Sequence, residues 1–157
     1  MDRLGDVAQV AVIERHLGTG KVVNAFVSGF GYHVDCAVAS TVAHDSHQMI
    51  VVGTNHADMA FAANRLQAVG GGIIVVSNGR ELALIELPIA GLMSNERAEI
   101  VAGKSEQVVA AMAQCGCTLN NGVMQHMFLA LPVIPQLRVT DLGLVDVTKF
   151  ELVSLFE

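Results

Sequence analysis

Ile73-Ile74-Val75-Val76-Ser77-Asn78-Gly79-Arg80-Glu81-Leu82-Ala83-Leu84-Ile85-Glu86-Leu87 is the stretch that decides the fold. A β-branched apolar run ends at Val76, Asn78-Gly79 follows, and a second apolar run extends from Leu82 to Leu87. Asn-Gly accepts the positive φ angles that a type I′ turn demands, so the two runs are expected to pair as an antiparallel hairpin. Upstream, Asn55 is a good helix N-cap with Asp58 at the third helical position. Met59, Ala62, Ala63, Leu66 and Val69 then share one face, and Gly70-Gly71-Gly72 stops the helix. Before it the sequence predicts four strands: 7–13, the segment of Val22, Val23, Phe26 and Val27 that follows the Gly18-Thr19-Gly20 turn, 34–42, and 49–52.

Downstream, Pro88 ends the second hairpin strand, and Ser94 is expected to cap a helix whose first turn carries Glu96 and Glu99. Val101, Val108, Met112 and Cys115 form its stripe. Gly103 within it costs up to about 1 kcal/mol relative to alanine and predicts a break or kink. Residues 123–131 read as a short helix stopped by Pro132 and Pro135; 137–139 read as extended, and a tail closes with Val153, Leu155 and Phe156. Strand runs interrupted by helices, with a true hairpin among them, argue against a regular βαβ alternation. The expected class is α+β, a mixed and largely antiparallel sheet faced by two to three helices, with residues 1–157 forming one domain.

Composition narrows the function classes. A chain of 157 residues is long enough to bury a core without disulfides or metal staples. With 52% hydrophobic and only 15% charged residues, some apolar surface is expected to meet a partner. The formal net charge of −6 and the lack of a basic patch argue against nucleic acid. No apolar run reaches the 18 or so residues of a spanning helix, and Met1-Asp2-Arg3-Leu4-Gly5-Asp6 is acidic where a leader would be basic. These features predict a cytoplasmic chain without a membrane segment. Cys36, Cys115 and Cys117 are read as structural thiols, because Cys115-Gly116-Cys117 lacks a second pair.

The candidate chemistry is concentrated in Ser40-Thr41-Val42-Ala43-His44-Asp45-Ser46-His47, where two imidazoles, a carboxylate and hydroxyls interrupt an apolar background. Imidazole gives and takes protons near neutral pH, and a carboxylate can fix its tautomer, so His44, Asp45, Ser46 and His47 suit hydrogen bonding or proton transfer. The alternative is a polar strand end that satisfies its own backbone. If the segment stays extended, His44 and Ser46 face one way and Asp45 and His47 the other. The helix start at Asn55 is expected to lie beside the cluster and add N–H donors. Three ligands within four residues rarely converge unaided, so no metal is assigned to His44, Asp45 and His47, and Ser46 lacks the Gly-x-Ser-x-Gly elbow of a nucleophile. Glu14 and His16 share a strand face ahead of Gly18-Thr19-Gly20, a loop that either offers N–H groups to a ligand or simply turns the chain. His126, amid Met124, Met127 and Phe128, is expected to be partly buried and hydrogen-bonded.

Several strings carry a resemblance. Val12-Ile13-Glu14-Arg15-His16, Phe26-Val27-Ser28-Gly29-Phe30-Gly31, the Ser40 to His47 segment and Val51-Val52-Gly53-Thr54-Asn55 all contribute, as do Gly70-Gly71-Gly72, Leu87-Pro88-Ile89-Ala90-Gly91-Leu92-Met93-Ser94 and Phe128-Leu129-Ala130-Leu131-Pro132-Val133-Ile134-Pro135. The chain resembles the C-terminal domain of adenine deaminase, of the amidohydrolase superfamily. The resemblance implies conversion of adenine and water to hypoxanthine and ammonia, with manganese or iron in a TIM barrel activating the water. That barrel's His-x-His ligand pair does not occur in this sequence. No catalytic residue and no cofactor are therefore assigned to this chain. The resemblance implies an auxiliary domain, inactive alone, that docks on the TIM-barrel domain or on a second copy in a homo-oligomer. His44, Asp45, Ser46, His47, Glu14 and His16 are assigned a substrate-binding or supporting role. The alternative is a stand-alone domain that binds a purine or another small molecule through the His44–His47 cluster.

Overall fold

The hairpin read from Asn78-Gly79 forms one edge of a six-stranded sheet in the computed structural model, which describes residues 6–156. In chain order the elements are β1 (Val7–Ile13), β2 (Val22–Ser28), β3 (Cys36–Ser40), β4 (Met49–Gly53), α1 (His56–Val69), β5 (Gly72–Ser77), β6 (Arg80–Glu86), α2 (Ala98–Gln114), α3 (Gly122–Phe128), β7 (Leu137–Val139), β8 (Leu144–Asp146) and β9 (Glu151–Val153). The large sheet runs β2-β1-β4-β3-β5-β6 and the small one β7-β8-β9. Every pairing is antiparallel. This is the α+β class. Of the acidic segment Met1 to Asp6, all but Asp6 lie outside the described residues.

Period two divides the sheet between two cores. Val10, Val12, Val38, Ile50, Val52, Val75 and Ile85 face α2 and α3, where Val108, Met112, Cys115 and Met127 meet them. Ala11, Ala39, Val51, Ile74 and Val76 point the other way, onto Met59, Ala62 and Leu66 of α1. Since both faces are covered, β3 and β4 are buried throughout, which is why they read as unbroken apolar runs.

The first helix starts and stops as read. Asn55 Oδ1 accepts from the Asp58 amide at 2.9 Å, and Gly70 closes the helix at φ +84°. Asp58 does more than suit the dipole. Buried at 2% exposure, its carboxylate accepts from the backbone N–H groups of Asn78 (3.0 Å) and Gly79 (2.7 Å), tying α1 to the hairpin turn.

Four expectations change. Residues 34–42 give a strand only over Cys36–Ser40, because the Ser40 hydroxyl bonds the Val42 amide and carbonyl and turns the chain out. The second helix begins at Ala98 rather than behind Ser94, whose hydroxyl instead accepts from Glu96 N in a turn before the helix. Glu96 thus lies outside the helix and pairs with Lys104. Gly103 does not break α2, which runs unbroken through it to Gln114. Residues 137–139 are extended as expected, as β7, but their pairing into a sheet with β8 and β9 went unread because three-residue strands are too short to show alternation.

Register places the functional loops. Ile13 pairs with both Val22 and Met49, Ser40 with Ile50 and Ile73, and Gly72 with Glu86. Hence 14–21, 41–48, 70–71 and 87–97 emerge at one end of the sheet. The N-terminus of α1 lies at the opposite end, a strand length or roughly 15 Å away. The helix N–H groups expected beside the histidine cluster are therefore not there; Asn55 uses them locally.

Candidate functional site

The loop after β1 is built around a carboxylate. Glu14 Oε1 accepts from the backbone N–H groups of His16 (2.6 Å) and Leu17 (2.7 Å), while Oε2 accepts from the amide (3.0 Å) and hydroxyl (2.9 Å) of Thr19. These bonds, led by those from the Leu17 and Thr19 amides, hold the Glu14 carboxyl down to about 2. The amides of His16, Leu17 and Thr19 are thereby occupied by the chain's own side chain. The result is a fixed arm that carries His16 and an exposed Leu17.

His16 reaches the second loop. Its Nε2 lies 2.7 Å from the Ser46 carbonyl. A carbonyl only accepts, so His16 donates from Nε2. The segment from Ala43 to His47 is a closed turn, with His47 N donating to Ala43 O at 2.7 Å. It does not stay extended, and the turn overrides the alternation expected for His44 and His47. Their rings meet edge to face with centroids 5.2 Å apart, and His44 also lies 5.5 Å from the ring of Phe128. Asp45 and Ser46 occupy the exposed tip of the turn.

His47 is the most constrained member. The Ala43 amide donates to its Nδ1 at 3.2 Å. Burial, followed by the nearby His44 and Arg15, pushes the imidazole below its ordinary value, against a smaller opposing effect of Asp45. This lowering and the acceptor role of Nδ1 both favour the neutral ring.

Arg15 joins the pieces, a role that sequence reading missed. Its Nε donates to His47 O at 2.6 Å and its Nη2 to Ala90 O at 3.0 Å, while its own amide donates to Oε1 of the buried Gln48 at 2.9 Å. The third loop, from Pro88 to Met93, is pinned from the other side by Thr41, whose hydroxyl donates to Gly91 O at 2.6 Å. Close approach requires glycine at 71: a Cβ there would sit 2.5 Å from Gly91 Cα, and φ is +119°. The signals for Arg15 were weak but present, a lone cation between Glu14 and His16 and an apolar loop rich in turn residues.

A cleft of about 430 Å³ opens beside Arg15 and Glu14, bounded also by Thr41, Asn64, Gln67 and Gly71. The histidines do not line it. Among the described residues no three His, Cys, Asp or Glu side chains are gathered as a metal site. Cys36 and Cys115 are buried together, their contact raising the Cys36 thiol. His126 is fully buried rather than partly so, and among the described residues neither ring nitrogen makes a hydrogen bond of regular geometry, the Ile50 backbone acting on the ring only weakly.

Comparison with known proteins gives the family. The family model described as adenine deaminase C-terminal domain matches residues 1–151. "Adenine deaminase 3" of Rhizobium meliloti is 69% identical over 151 residues, covering 96% of this chain and 25% of that protein. The adenine deaminase of Mesorhizobium japonicum is 64% identical over 156 residues, 99% of this chain and 26% of its own length. That of Moorella thermoacetica is 51% identical over 150 residues, covering 96% of this chain. The chain thus spans about a quarter of the length of the curated relatives it matches, and it belongs to the adenine deaminase C-terminal domain family.

Proposed function

We propose that this domain supports the hydrolytic deamination of adenine to hypoxanthine and ammonia by a catalytic part carried in the rest of its relatives' length. That part is a metal-dependent TIM barrel of the amidohydrolase type, using manganese or iron held by its own side chains, in the cytoplasm. Alone, the present chain is inactive. The observation that carries this reading is the gathering of His44, Asp45, Ser46 and His47 with Glu14 and His16 at one end of the sheet. Around them stand the exposed apolar side chains Leu17, Ile89 and Met93 on loops that Arg15 and Thr41 hold in place. Apolar side chains on pinned loops around a polar centre suit a docking rim that brings the histidine turn to the purine site. A second copy in a homo-oligomer is the other partner of this kind.

The test is a chimera in which this chain replaces the matching segment of the Rhizobium meliloti relative. Loss of one transition-state hydrogen bond is worth about tenfold. The His44→Ala, His47→Ala double variant is expected to lower kcat/KM for adenine by at least that. Unchanged kcat/KM would remove the histidine turn from the reaction.

The cleft beside Arg15 favours a second reading, a purine or small-molecule site in the domain itself, since its volume is within the usual range for ligand pockets. Calorimetry of the chain with adenine and hypoxanthine decides it, and absence of heat would end it.

A further inference from the structure

We propose that Arg15 is a positioning residue that holds the His47 imidazole as a hydrogen-bond donor through Nε2–H, for an acceptor such as an aromatic ring nitrogen or a carbonyl oxygen. The substrate class rests on the reading above, in which the turn reaches the purine site; the positioning itself stands on the geometry of this chain.

A backbone N–H can only donate, so the Ala43 amide at 3.2 Å requires a lone pair on His47 Nδ1. The single proton of the neutral ring is then on Nε2. A ring in this state has no second lone pair to offer, and a proton arriving at Nδ1 would oppose the Ala43 N–H head on. Of the two roles open to a histidine here, hydrogen bonding and proton transfer, the arrangement selects the first.

The arrangement needs a support because His47 is held at φ +52°, a left-handed conformation that a side chain disfavours. Two bonds retain it: His47 N to Ala43 O within the turn, and Arg15 Nε to His47 O from outside it. Arg15 reaches Ala90 with its other branch, so the same guanidinium fixes the turn against the 88–93 loop. The charged or titratable groups that act on the His47 ring are His44, Asp45, Arg15 and His16. Arg15, at hydrogen-bond distance from the His47 carbonyl, opposes protonation as well as movement.

The experiment is long-range proton–nitrogen NMR of the imidazoles in the whole 157-residue chain across pH. In the wild type, His47 is expected to show a protonated Nε2 and a bare Nδ1 at pH 7, with a midpoint below that of an exposed histidine. Arg15→Gln should mix the tautomers and raise the midpoint. Arg15→Lys, able to reach one carbonyl but not two, should fall between the two. A proton on Nδ1 in the wild type overturns the proposal, as does a folded Arg15→Gln whose His47 tautomer and midpoint are unchanged. If Arg15→Gln does not fold, the wild-type tautomer and Arg15→Lys carry the decision, with an unaltered His47 in Arg15→Lys counting against positioning. Deamination is not measured, so this result and that of the chimera fail independently.

Discussion

At the scale of single residues, two titrating side chains act on stability in separate pH windows. Glu14 has its folded value lowered from 4.5 to about 2, so its bonds stabilise the fold fully above 4.5. That contribution is lost as pH falls through 4.5 toward 2. His126 is lowered from 6.5 to about 4 by complete burial, weakly offset by the backbone of Ile50. Below 6.5 the unfolded chain takes up a proton that the folded chain refuses, so stability falls between 6.5 and 4. Urea unfolding followed against pH should therefore show two descending limbs. Glu14→Gln is expected to flatten the lower one and weaken the 14–21 loop, because an amide nitrogen cannot accept. His126→Leu removes, at similar volume, a buried imidazole that makes no hydrogen bond of regular geometry among the described residues. It should raise stability most at pH 5 and flatten the upper limb; a loss of stability at pH 5 would mean that the ring has a partner in solution.

At the scale of elements, local chemistry was legible where it is decided locally. Asn55, Asp58 and Gly70 bound α1 because capping uses neighbours in sequence, and Asn78-Gly79 fixed the hairpin for the same reason. Asp58 also shows what periodicity cannot reveal, a carboxylate twenty residues from the turn it closes. Asp58→Ala should cost about 1–3 kcal/mol in chemical denaturation by leaving the Asn78 and Gly79 amides without their acceptor. Gly103 was misread for a physical reason: its helix cost is real, but packing of Val108, Met112 and Cys115 carries α2 across it. A Cβ at 103 meets nothing within 4 Å and φ is not positive there. Gly103→Ala is accordingly expected to stabilise the domain by up to about 1 kcal/mol, read in the same denaturation experiment. The histidine segment was legible as a cluster but not as a shape. The 43–47 turn is closed by His47 N on Ala43 O and braced by Arg15 from thirty-two positions away, and no local pattern carries the second bond.

At the scale of the whole molecule, an antiparallel sheet covered on both faces leaves its chemistry to one end, where loops from four places in sequence meet. The family could be read from strings in those loops and elsewhere in the chain, and the comparisons establish it over residues 1–151. The domain gathers donors and acceptors there without gathering a metal site among the described residues. Its proposed part in deamination is one of contact and support, through the loops gathered at that end. The most direct test is ammonia release from adenine with added Mn(II) or Fe(II), measured for this chain alone, for the Rhizobium meliloti relative truncated of its matching segment, and for the two mixed. The account predicts no turnover by the chain alone and more by the mixture than by the truncated enzyme. Turnover by the chain alone, or no gain on mixing, would contradict it.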